Sequence, residues 1–142
     1  MGRTRSTGAP RWAALLLVLV AAAGCGGGNS SGAAPATSRP KSTGTISIIE
    51  PKAGQTVTGG TLHVQVAVEG ATILNNPNVV KPTPSQGHVH LSIDGQLVKM
   101  AYGPEQDITV TPGRHLLEAE FVAGDHLPFN PRVAQKTTFV AE

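Results

Sequence analysis

The strongest constraint on this chain is an alternation of apolar and polar residues with period two. Across residues 61–69, Leu62, Val64, Val66 and Val68 fall on one side, and His63, Gln65 and Glu69 on the other. Across 88–94, Val89, Leu91 and Ile93 alternate with His88, His90 and Ser92. Across 115–122, Leu117, Ala119 and Phe121 share a side with His115, while Glu118 and Glu120 share the opposite one. Successive side chains of a strand point to opposite faces, so each pattern describes a strand with one buried and one wet face.

Shorter candidate strands lie at 46–49, 97–101, 107–111 and 136–141. Turn residues separate them: Pro51 to Gly54, Gly59-Gly60, Asp94-Gly95, Gly103-Pro104 and Pro112-Gly113. Asp94-Gly95 between two alternating runs is a hairpin signal. Seventeen glycines and eleven prolines in 142 residues exclude a helical bundle, a coiled coil or a doubly wound nucleotide-binding fold. About seven short strands in residues 45–142 predict an all-β, antiparallel β-sandwich.

The first 44 residues read as an address and a tether. Arg3, Arg5 and Arg11 precede an apolar run over 12–23, which is too short to span a bilayer but matches the core of a secretory signal. Gly24 and Cys25, the single cysteine, follow at once. Ala22-Ala23-Gly24-Cys25 resembles the lipobox of bacterial lipoproteins, with Ala22 where leucine is usual. The resemblance implies fatty acylation of Cys25 and retention on the extracytoplasmic face of the cell membrane. The alternative is ordinary cleavage after Ala23, which leaves a free thiol. Domains are therefore expected at 1–24 (signal), 25–44 (flexible linker rich in Gly, Ser, Ala and Pro) and 45–142 (sandwich).

The segments 49–57 and 62–66 resemble the first strands of bacterial immunoglobulin-like domains. Those at 87–95, 112–117 and 125–128 resemble secreted and lipid-anchored members of that superfamily. The resemblance implies an immunoglobulin-like topology and carries no activity with it.

Charge and missing motifs narrow the function. From residue 45 onward six basic residues face nine acidic ones, a balance without the electrostatic footprint of nucleic-acid binding. No nucleophile elbow, zincin helix or phosphate loop is present. Cys25 is consumed by the anchor, and Glu118 and Glu120 are expected on a solvated face, so the chain reads as non-enzymatic. Tyr102 and Phe129 are too thin an aromatic supply for a sugar-binding platform.

The five histidines, all in the domain, are the remaining signal. His88 and His90 project from one face of one strand, where two imidazoles can share a metal ion. Immunoglobulin topology would bring His126, Glu120 (a weaker ligand) and Asp125 to the same end. It would leave His115 at the opposite end and His63 on the other sheet. Nitrogen donors suit copper(II), zinc or nickel; copper(I) fits less well, because Met100 is the one methionine left after the signal. The bland alternative is a set of half-exposed surface histidines. Loop 70–87, with Asn75, Asn76 and Asn78, is either a partner-binding surface or a flap over the sandwich end.

The sequence thus predicts a lipid-anchored envelope protein that acts by binding an envelope protein, a wall component or a metal ion. Cys25→Ser should move it from the detergent phase to the aqueous phase on phase partitioning. Identical partitioning of variant and parent would remove the lipid anchor.

Overall fold

The computed structural model describes residues 38–76 and 81–142. The signal segment, Cys25, most of the expected linker and Asn78 lie outside the described residues. The described residues form β1 (Thr45–Glu50), β2 (Gln55–Val57), β3 (Thr61–Glu69), β4 (Thr72–Ile73), β5 (Gln86–Ile93), β6 (Gln96–Ala101), β7 (Glu105–Thr109), β8 (Gly113–Ala123) and β9 (Pro128–Ala141). They contain no helix.

Two sheets face each other. The smaller has the order β1-β3-β7; the larger runs β2-β9-β8-β5-β4, with β6 also paired to β5. All pairings are antiparallel except β2 with β9 and β4 with β5. The expected all-β, immunoglobulin-like sandwich is the observed architecture. The short β2 and β4, too brief to show a period, are the additions.

In β3, β5 and β8 the apolar parity faces the core. Leu62, Val64 and Val66 of β3 meet Val89, Leu91, Leu117, Ala119 and Phe121 of the facing sheet in one core. Phe129 and Phe139 complete it, with Phe129 stacked on Phe121 at a ring-centroid distance of 5.4 Å. Phe129 is therefore a core residue rather than a ligand platform. Its burial follows from β9 beginning at Pro128, so that only the four residues 124–127 separate it from β8.

The polar faces are less wet than expected. Gln65 and Glu118 are half-buried rather than exposed, because neighbouring long side chains lie over them: Gln65 reaches Glu105 at 3.2 Å, and Glu118 pairs with Lys136 at 3.1 Å. Residues 38–44, expected to be tether, run along the domain instead. Thr43 N donates to Pro84 O (2.9 Å), Pro40 O accepts from Asn130 N (3.0 Å), and Gly44 is buried. Loop 70–87 is shortened by β4 and by a bridge between Thr83 and Gln86, while Asn75 and Asn76 remain exposed.

Two glycines fix the strand that matters most. Gly95 (φ 83°) and Asp94 (φ 52°) are both left-handed, as a tight hairpin between β5 and β6 requires. At the other end of β5, a Cβ on Gly87 would lie 2.0 Å from Val122 O and 2.9 Å from the Phe121 ring. Only glycine lets β5 enter the sheet against β8 at that point.

Phe121→Ala should lower unfolding free energy by about 3–5 kcal/mol, the usual cost of emptying a buried aromatic position. Urea denaturation of variant and parent measures it, and a cost near zero would mean that the Phe121 ring is not packed.

Candidate metal centre

The site starts from the pairing of β5 with β8. Their register sets His88 opposite Val122, His90 opposite Glu120, and Gly87 opposite Ala123. Val89 and Leu91 take the core face, so His88 and His90 share the outer face of the larger sheet. Beyond Ala123 the chain turns back toward β9: His126 N donates to Ala123 O (3.0 Å) and Ala123 N to Leu127 O (3.1 Å). His126 sits at the turn with φ 64°, a left-handed conformation unusual for a residue with a Cβ. That conformation lays its ring over the two strand histidines.

The three imidazoles converge, each offering one ring nitrogen within 4.8 Å of the others. His88 and His126 rings are 4.4 Å apart by centroid, His88 and His90 4.9 Å, and His90 and His126 6.0 Å. The Nε2 atoms of His88 and His90 lie 3.0 Å apart. A neutral pair at that distance shares one proton between two lone pairs aimed at the same point. An ion replacing that proton at about 2.0–2.1 Å from each nitrogen would subtend roughly 95°, and opening to a tetrahedral angle would need only about 0.3 Å of movement.

Burial keeps the two strand histidines neutral. His88 is 2% exposed although it lies on the outer sheet face, because His126 crosses it and Tyr102 stacks on it at 5.1 Å. Desolvation, followed by repulsion from His90 and His126, pushes its pKa down to about 4. His90 is lowered by burial first and by His126 second. Both therefore keep free lone pairs at neutral pH, the form in which imidazole binds metals. The Nδ1 of His126 is buried without a hydrogen-bond partner. Such an orphan is rare in a folded protein and calls for a ligand.

The carboxylates expected as helpers are committed elsewhere. Glu120 lies beside His90 but is 7% exposed and held bidentately by Arg132, from Nε at 2.6 Å and Nη2 at 2.5 Å. It is an ion-pair partner here, not one of the converging donors. Asp125 is gripped by Arg39, whose Nη1 and Nη2 lie 2.5 and 2.9 Å from its oxygens. This hydrogen-bonded pair holds the Asp125 carboxyl below its usual range. Arg39 also donates to Leu127 O and Pro128 O (both 2.9 Å), so it staples the turn that carries His126. Neither arginine was identifiable as part of the site from sequence. Arg39 lies in a segment whose composition reads as linker, and Arg132 lies on a strand whose first half lacks clean alternation.

The two excluded histidines are where parity puts them. His115 bonds Asp94 through Nδ1 (2.7 Å) and Thr111 O through Nε2 (2.9 Å), at the far end of the sandwich. His63, on the smaller sheet, bonds Asp107 (2.8 Å).

No family model matches the chain, and no curated protein matches it. Among solved structures it is similar to the fibronectin(III)-like modules of Clostridium thermocellum CbhA, at 19% identity and TM-score 0.50, over 68% of this chain and 94% of that one. An engineered protein solved by the Northeast Structural Genomics Consortium aligns at 14% identity and TM-score 0.45, over 70% of this chain and 20% of that one. The first likeness is one of fold: the domain has the architecture of a fibronectin III-like, immunoglobulin-like β-sandwich.

A histidine whose folded pKa is depressed binds its proton in the unfolded chain first. Stability is then complete above the unfolded value of about 6.5 and declines as pH falls toward 4, where the folded His88 also protonates. Thermal unfolding of the metal-free protein should show the melting temperature dropping between pH 6.5 and 4. His88→Gln should flatten that slope, and an unchanged slope would mean that His88 is not held neutral by the fold.

Proposed function

We propose that this chain is a lipid-anchored envelope protein whose fibronectin III-like module acts by binding, with a metal ion held by His88, His90 and His126 as its ligand. Copper(II) and zinc both suit a set of three imidazole donors. The observation that carries the reading is the buried, unpartnered Nδ1 of His126 in a cluster whose other two rings already aim their nitrogens at one point. Crowding three imidazoles together, His88 buried and His90 and His126 half-buried, costs solvation and leaves an orphan; an ion on their lone pairs would offset that cost.

Binding is favoured over hydrolytic chemistry by the state of the carboxylates. A metal with three histidine ligands and an open position can activate water, but a general base must stand nearby. Glu120 and Asp125 are each held by an arginine, so neither carboxylate is directed at the cluster. The lipobox-like segment ending at Cys25 would hold the module at the membrane surface, where a metal-binding domain meets ions entering the envelope.

A second reading, recognition of an envelope or wall partner, has one observation in its favour. Leu74 N donates to Gly87 O (2.7 Å), which brings the exposed Asn75 and Asn76 to the same end of the sandwich as the histidines. A partner docking there would cover the metal.

Calorimetric titration of the purified full chain with copper(II) and with zinc tests the main reading. Micromolar or tighter binding is expected, reduced at least tenfold by His90→Ala and by His126→Asn, the latter chosen because asparagine tolerates the left-handed turn. No binding by the parent, or binding indifferent to both substitutions, would leave the cluster as packing alone.

A further inference from the structure

The three imidazoles leave a question of metal identity, and the neighbouring strand answers it. β6 pairs with β5 so that Met100 lies directly opposite His90. Residues opposed in an antiparallel pair project to the same face with Cβ atoms about 4.5–5.5 Å apart. Parity is fixed independently on both sides of Met100. Ala101 is buried in the core at 1% exposure, and Tyr102, one residue further on, lies over His88 on the outer face. The Met100 thioether is therefore held on the same face as the three histidines, on the flank of His90 away from Glu120.

Its surroundings single it out. Met100 is 43% exposed on an edge strand, so it contributes little to the core and is free to move. Its unbranched side chain has three rotatable bonds and carries a soft sulfur. The hard donors near the cluster are withdrawn: Arg132 occupies Glu120, and Arg39 occupies Asp125. Unlike the two carboxylates, the thioether has no ion pair to break, and unlike the Tyr102 phenol it is a soft donor.

Building on the metal-binding reading above, we propose that Met100 is the fourth ligand and that the centre is built for copper, holding copper(I) as well as copper(II). Thioether with imidazole is a donor set that selects copper over zinc, which gains little from a neutral sulfur. Met100 alone is a weak argument for copper(I) while only the sequence is considered. Its register opposite His90 gives that single methionine a coordinating position.

The test uses the purified full chain and its Met100→Leu variant, which keeps size and apolar character at an exposed position. Copper(I) affinity is measured anaerobically by competition with a chromogenic chelator, and zinc affinity by competition with a zinc indicator. Copper(I) binding should weaken at least tenfold in the variant while zinc binding stays within about twofold. X-ray absorption of the copper(I)-loaded parent should show a sulfur neighbour that the variant lacks. Equal copper(I) affinities, a parallel loss for both metals, or a sulfur signal that persists in the variant through Cys25 would each overturn the assignment of Met100. A parent that binds neither metal would overturn the metal-binding reading itself, so the two failures are distinct.

Discussion

The pairing of β5 with β8 is the constraint on which the rest of this structure depends. Seven residue pairs, from Gly87 with Ala123 to Ile93 with Leu117, hold the centre of the larger sheet. Because side chains alternate, a slip of β5 by one residue would turn Val89 and Leu91 outward and bury His88 and His90 in the core. Core packing therefore enforces the register, and the register in turn places His88 and His90 on the outer face. The close approach at Gly87 completes the arrangement, since it brings the end of β8, and so the His126 turn, down onto the start of β5.

Around that pairing burial holds His88 and His90 neutral, and arginines take up the nearby carboxylates. Each carboxylate that could compete for a cation or stabilise a protonated ring is held by an arginine from another element. Arg39 comes from 86 residues before Asp125, and Arg132 from the strand after Glu120. Such bidentate pairs are directional and stronger than simple surface contacts. The Arg39 clamp also reaches the carbonyls of Leu127 and Pro128. The same side chain that neutralises Asp125 thus fixes the loop carrying the third histidine. The segment before β1 and the turn that carries His126 are in this way joined.

Much of this was legible in the sequence, for a physical reason. A strand that buries one face must alternate, so β3, β5 and β8 wrote their cores directly into the order of residues, and Asp94-Gly95 announced the hairpin that follows β5. The placement of His88 and His90 on one face followed from the same rule. Short elements escaped detection: β2 and β4 have three and two residues, too few to display any period. Burial on the outer face escaped too, because Glu120 and His88 occupy polar parity and are covered by residues far away in the chain.

The sequence by itself determined the all-β class, the identity of the core face and the pair of histidines, because these depend on neighbours one and two residues apart. The tertiary structure alone decided that His126 joins them, that Glu120 and Asp125 belong to arginines, that residues 38–44 pack on the domain, and that Met100 lies beside His90. Each of these turns on a contact between distant segments. Such contacts are set by strand register and turn conformation, and no local pattern encodes them.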